Sequence, residues 1–289
     1  MANPLVTVVC LSYNHERFVK EAITSVLTQN YSPIQLIVLD DGSVDDSVAQ
    51  IESVIEGKSE ITFISNKSNL GYCKSLNLAM KQAKGGFLID LAADDILMPN
   101  RVEEGVKALT RAGESYEVNF TDAEMIDENG RKLCMHSDRF FHQAIPQGNI
   151  YKDLIHRYFI CSPTLMFRKQ VIDQLGGYDE TLAFEDFDFL IRSSRVFNFC
   201  YTPKALVKKR IVNTSMSSRQ FVRNGDQRWS TLKVCEKILV LNNTNEEAEA
   251  LKKRIRYEIG VSLKLFDWRL LFAFVKFYFR LSSPRTILK

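Results

Sequence analysis

Four short apolar runs, each too short for a helix and each stopped by a polar turn, constrain the fold of this chain most. They are Leu5 to Leu11 (LVTVVCL), Gln35 to Leu39 (QLIVL), Ile61 to Ser65 and Phe87 to Leu91, and they read as strands buried in a sheet. Between them the apolar residues change period. Residues 16–29 place Phe18, Ala22, Val26 and Leu27 at helical spacing, and Tyr31-Ser32-Pro33 stops that helix. Ser43 or Asp45 can cap a second helix over about 45–56. A third follows the loop from Asn66 to Gly71 and ends at Gly85-Gly86, and a fourth covers 100–112. This alternation predicts an α/β fold, a mostly parallel sheet flanked by helices.

In such a sheet ligands gather at the carboxyl ends of the strands. Ser12-Tyr13-Asn14, Asp40-Asp41 and Asp94-Asp95 all fall at strand ends, so the fold collects them on one rim. The first turn is not G-x-G-x-x-G, and neither G-x-x-x-x-G-K-[ST] nor G-x-S-x-G occurs. Those absences disfavour a dinucleotide enzyme, a P-loop enzyme and a serine hydrolase. Two pairs of carboxylates remain, and carboxylates bind hard divalent ions that bridge to substrate phosphates. Asp-Asp and Asp-Gly at a strand end are also ordinary turn residues. Two pairs on one rim weigh toward a site.

Composition adds limits. With 45% hydrophobic and 25% charged residues the chain suits a globular enzyme. Its six cysteines form no C-x-x-C pair, so neither zinc nor a disulfide framework is expected, and a reducing compartment follows. Met-Ala-Asn-Pro carries no basic start, so no export signal is expected. No run reaches the ~20 apolar residues of a membrane-spanning helix. These readings lead to a cytoplasmic location.

The motifs, taken in order, carry a resemblance. V-T-V-V-C-L-S-Y-N (6–14), S-V-L-T-Q-N-Y (25–31) and L-I-V-L-D-D-G-S-V-D-D-S (36–47) resemble the opening of family 2 glycosyltransferases. Asn69-Leu70-Gly71, Asn77, Ala83-Lys84-Gly85-Gly86 and A-A-D-D-I-L-M-P-N-R (92–101) are similar to that family's next segment. L-G-G-Y-D-E-T-L-A-F-E-D-F-D-F-L-I-R (175–192) resembles its acceptor-side motif, and the likeness covers about residues 5–220. The resemblance implies a GT-A fold, related to the Rossmann sheet. It also implies inverting transfer, usually from a UDP-sugar donor, with Mn²⁺ or Mg²⁺ as cofactor. On that pattern residues 1–220 form the catalytic domain, with a nucleotide-sugar half over about 1–115 and an acceptor half over about 116–220. Residues 221–289 form a C-terminal helical region.

The same resemblance assigns roles. Asp41 reads the nucleotide base, Tyr13 stacks on it, and Asp40 supports the turn. Lys74 contacts base or phosphate, against the plainer reading of a solvated helix face. Asp95 binds the metal, and Asp94 binds the ribose hydroxyls or stands behind the metal; the motif lacks an aspartate at Ala92 or Ala93. Asp186 is the general base of the transfer. Glu185 shapes the acceptor pocket, and Asp188 supports the helix start or binds acceptor. Acids at a helix start also have a plain dipole explanation. The stretch from Lys208 to Ser217 has no His where the family often carries a cation or His, which turns attention to Arg210 for the phosphates. Asp122 is a candidate lining of the acceptor cleft, and His136 and His142 read as acceptor-loop residues and not as metal ligands.

The remaining residues read as helices over about 228–241, 246–264 and 266–281. Residues 1–200 carry nine more acidic than basic side chains, and residues 201–289 carry twelve more basic than acidic. Two placements stay open for the Phe-rich last helix: packed on its own core, or in peripheral contact with an anionic membrane on the inner face of the cell membrane. The expected acceptor is a glycan, lipid-linked by family likeness, in surface-polysaccharide or O-antigen-type synthesis. No nucleic-acid partner is expected, and oligomeric state leaves no signal. Two rival functions are a nucleotidylyltransferase and an inert nucleotide- or glycan-binding subunit. The first needs a Gly-rich basic loop after the first strand, which Ser12-Tyr13-Asn14-His15 does not supply.

Overall fold

Strand β1 (Val6–Ser12) is buried along its whole length, as its β-branched sequence VTVVCLS demands. The structure, a computed structural model, describes residues 2–140, 144–212 and 222–282. After β1 the chain alternates as expected: α1 (Val19–Leu27), β2 (Ile34–Asp40), α2 (Ser47–Ile55), β3 (Thr62–Ser65), α3 (Tyr72–Met80), β4 (Phe87–Ala92). A two-residue strand β5 (Ile96–Leu97) precedes α4 (Arg101–Ala112). Then come β6 (Tyr116–Ile126), β7 (Lys132–Met135), a 3-10 turn at His136–Phe140 and α5 (Tyr151–His156). Next are β8 (Met166–Arg168), α6 (Lys169–Leu175), α7 (Glu185–Val196) and β9 (Asn198–Arg210). The chain continues with α8 (Asp226–Leu241), α9 (Asn245–Lys264) and α10 (Trp268–Ser282).

These elements form two compact units. The first comprises Met1–Gly148, Ile160–Glu180 and Phe197–Val212, and it holds the whole sheet. Strand order is β3-β2-β1-β4-β8-β6-β9-β5, with β7 on β6. The first four strands are parallel, and β6 and β9 are parallel too. β8, β5 and β7 pair antiparallel with their neighbours, so the second half of the sheet is mixed. The core joins β1 and β4 to α1 and α4 through Val8, Ile89, Leu91, Val19, Ile23, Val102 and Leu109, all inaccessible to solvent. Helix α1 turns Val19, Ala22, Ile23 and Val26 inward, at the i, i+3, i+4, i+7 spacing of an amphipathic helix.

The second unit, Asn149–Phe159, Thr181–Val196 and Asn213–Lys289, is helical among its described residues. α9 starts on a capping box: Glu247 N donates to Thr244 Oγ1, and the Glu247 carboxylate accepts from Thr244 N. α7 and α8 are joined by buried Asp188, and α10 packs on α8 and α9. No described helix is long and apolar enough to cross a membrane.

Candidate functional site

The register of the parallel strands sets Ser12 beside Asp40, Asp40 beside Ser65, and Leu11 beside Ala92. The residues that follow therefore meet on one rim of the first unit. Backbone bonds close it: Asp41 N donates to Ser12 O, Asn66 N to Asp40 O, and Ala93 N to Leu11 O. The turns after β1 and β2 are laced as well. Asn14 N donates to Ser43 Oγ, Val44 N to Asn14 Oδ1, Glu16 N to Asp45 Oδ2 and Asp46 N to Glu16 Oε2. Tyr13 stands on this rim, 40% exposed, so its ring is open to a planar ligand.

Asp41 is buried and organises the loop from Asn66 to Ser75. Its Oδ1 accepts from Asn66 Nδ2 (2.9 Å), Leu70 N (2.9 Å) and Ser75 Oγ (2.6 Å), and its Oδ2 accepts from Gly71 N (2.9 Å). Gly42 makes the close approach workable: its φ is +74°, and a Cβ there would lie 2.5 Å from the Ser68 carbonyl carbon. Asp40 spends both oxygens on Ser43, N at 2.8 Å and Oγ at 2.6 Å, which is the turn support expected of it. Lys74 is exposed on the first turn of α3, on the same turn as Ser75 and as Tyr72, whose hydroxyl donates to Asp90 Oδ2 at 2.8 Å.

Asp94 and Asp95 follow β4. Asp95 is buried, and Oδ1 accepts from Arg210 N at 2.8 Å. Burial and the neighbouring Asp94 charge hold its carboxyl well above the usual carboxylate range, while Lys209 and Arg210 pull the other way. The Asp94 side chain is half-buried and makes no hydrogen bond among the described residues. Two carboxylates on one turn, Asp95 enclosed and Asp94 half-open, fit a hard divalent ion completed by water and substrate phosphates. The described residues contain no cluster of three His, Cys, Asp or Glu side chains that would cage a metal by themselves.

Arg210 has another task than the phosphate contact considered for it. Its Nε donates to Asp94 O, Nη1 to Asp127 O and Glu128 O, and Nη2 to Glu21 Oε2, while the guanidinium lies over the Phe18 ring. It ties the acidic turn to α1. Residues 213–217 of the neighbouring stretch, and His142, lie outside the described residues.

A family model described as glycosyl transferase family 2 matches residues 7–176, more than half of the chain. The chain belongs to that family. An uncharacterised glycosyltransferase of Haemophilus influenzae is 27% identical across 99% of this chain and 95% of its own length. One from Methanocaldococcus jannaschii is 29% identical across 74% of this chain and 73% of its own. Among solved structures, S. aureus TarS 1–349 in complex with UDP-GlcNAc superposes with a TM-score of 0.77 at 19% identity, over 97% of this chain and 82% of that one. A mannosyltransferase from Pyrobaculum calidifontis in complex with GDP-Man and Mn²⁺ gives 0.65 at 12% identity, over 96% and 88%. These likenesses establish the GT-A glycosyltransferase fold.

The stretch 175–192 divides between the two units. Leu175 to Glu180 belong to the sheet unit, where Asn77 Nδ2 donates to Tyr178 O and Tyr178 N to Asn77 Oδ1, both at 2.9 Å. Glu185, Asp186 and Asp188 belong to the helical unit, all on the first turn of α7. Glu185 is buried and Asp186 is half-buried. Asp188 is buried with both oxygens on cations, Lys237 Nζ and Arg192 Nε at 2.6 Å each. Those are the bonds of a helix support, the first of the two roles considered for it.

Asp122, the candidate lining of the acceptor cleft, lies within a strand and not at its end. It sits inside β6 at a bulge and accepts from Ser137 N (3.0 Å) and Ser137 Oγ (2.6 Å), anchoring the 3-10 turn. His136 opens that turn; burial, Arg139 and Lys209 pull its pKa down to about 4, and Asp122 opposes them. The sequence does not by itself mark Asn66, Ser75 or Asp90 as part of this rim. The signal available for Asp90 is that it lies two residues before Ala92 in a strand, hence on the same face.

Proposed function

We propose that this family 2 glycosyltransferase moves a sugar from a UDP-sugar, with inversion, to a hydroxyl of a lipid-linked glycan in surface-polysaccharide synthesis. The observation that carries the donor half is the rim itself: the register of β1, β2 and β4 gathers Tyr13, Asp41 and Asp94 at one edge of a parallel sheet. The UDP-GlcNAc complex of the TarS fragment supports uridine as the base. The GDP-Man complex of the Pyrobaculum enzyme makes guanosine the rival.

In this reading Tyr13 stacks on the base, and Asp41 Oδ2, which accepts one backbone N–H, takes the imide N–H of uracil. Lys74 faces phosphate, and Asp94 takes the ribose hydroxyls or backs the metal. Asp95 would hold Mn²⁺ or Mg²⁺, and the ion would supply charge to spread over the leaving diphosphate. Asp186 removes the proton of the acceptor hydroxyl as its oxygen attacks C1 from the face opposite the nucleotide, which inverts the anomeric carbon. Glu185 shapes the acceptor pocket beside it.

The test begins with calorimetric titration of UDP and GDP, each with and without Mn²⁺, followed by a screen of UDP-sugars for transfer to pyrophosphate-lipid acceptors. Asp186→Asn is expected to keep UDP affinity while transfer falls by about 10²–10⁴. Tighter binding of GDP than UDP would overturn the donor assignment. Unchanged turnover in Asp186→Asn would remove the base.

A further inference from the structure

Helix α10 carries three faces. Leu270, Leu271, Phe274, Phe277 and Leu281 are buried, and the helix packs on α8 and α9 within its own unit. On the opposite side, Trp268 is 50% exposed and Phe272 and Phe279 are each 69% exposed. At about 100° per residue these three fall within roughly 40° of arc, a single outward stripe of aromatic rings. Arg269, Lys276 and Arg280, all exposed, form a second stripe along its flank, Arg280 lying over the Phe277 ring at 5.3 Å. From Trp268 to Ser282 there is no acidic residue. Phe266 and Leu263, both exposed, extend the apolar surface through the turn from α9, and the rings of Phe266 and Trp268 meet at 6.3 Å.

A soluble helix hides one apolar stripe and turns polar residues outward. α10 hides one and presents another, bordered by cations alone. We infer that this outward face is a docking surface for an anionic lipid bilayer, with the helix lying in the plane of the interface. The rings enter the boundary between headgroups and acyl chains, and the basic stripe meets the lipid phosphates. A second copy of the chain is a poorer occupant. An antiparallel two-fold pairing of α10 would set Arg269, Lys276 and Arg280 against themselves, with no acid on the helix to answer them. The inference goes beyond the proposed reaction, and it is read without turnover, so either can fail alone.

Removing α10 would uncover its packed face on α9, so point changes on the outward face are the test. Full-length protein is sedimented with phosphatidylcholine vesicles, with and without about one third phosphatidylglycerol. Binding is expected to the anionic vesicles, with a blue shift of tryptophan fluorescence, and to weaken as salt rises. Trp268→Ser combined with Phe272→Ser and Phe279→Ser should weaken binding by about tenfold or more. Arg269→Gln with Lys276→Gln and Arg280→Gln should remove the salt-sensitive part. Unchanged circular dichroism and melting temperature in both variants show that the fold survives. Equal binding by the aromatic variant and the native protein overturns the inference. So does a native dimer, broken by the same variant, that ignores vesicles.

Discussion

Asp41 shows how one carboxylate can serve architecture and recognition together. Three of its four hydrogen bonds converge on Oδ1, and they hold a loop 25 to 34 residues away in sequence. Asp41→Asn puts an amide N–H₂ where one of these N–H groups now points, leaving a buried donor facing a donor. The expected loss is about 1–3 kcal/mol of stability, read by urea unfolding. If Asp41 also reads the base, UDP affinity falls by more than tenfold at a temperature where the variant is still folded. Native UDP affinity in a destabilised variant would leave Asp41 with the architectural role alone. The sequence marks Asp41 because it stands in D-D-G-S after an apolar run. It cannot mark Asn66 and Ser75 in the same way, because they become partners only when the loop folds back over Gly42.

At the scale of elements, α7 gathers Glu185, Asp186 and Asp188 on one turn, yet their surroundings differ. Asp188 is the ion-pair hub with Lys237 and Arg192. Asp188→Asn should therefore cost about 2–4 kcal/mol, less than a fully enclosed pair because Lys237 is partly exposed. Guanidinium unfolding of the full chain measures it, and a stable variant defective only in transfer would return Asp188 to the acceptor. Helices with regular spacing are legible from sequence to within a few residues: those read at about 228–241, 246–264 and 266–281 stand at Asp226–Leu241, Asn245–Lys264 and Trp268–Ser282. β9 is not legible. It contains Pro203 and three lysines, and its register against β6 slips between Thr202 and Ala205. A bulge there takes up the proline and breaks the alternation that would betray a strand.

At the scale of the whole molecule, a ligand that binds only the folded chain must raise its melting temperature. UDP with Mn²⁺ at a hundred times Kd should add about 2.7 kcal/mol, seen as an upward shift in scanning calorimetry that UDP alone reproduces only in part. No shift with both present would argue against a metal-assisted donor site. The sequence by itself determined the alternation of strands and helices through residue 112 and the three C-terminal helices, the likeness to the family, and the gathering of Tyr13, Asp41 and Asp94 on one rim. The elements follow from local periodicity and the rim from the geometry of parallel strands, which put every strand end on the same side, while the family follows from the likeness of the ordered motifs. Only the tertiary structure decided that Arg210, 115 residues beyond Asp95, closes the acidic turn instead of waiting for phosphate. It also decided which phenylalanines of α10 are core and which face outward. Those outcomes depend on contacts between distant segments, and such contacts form only once the chain has closed upon itself.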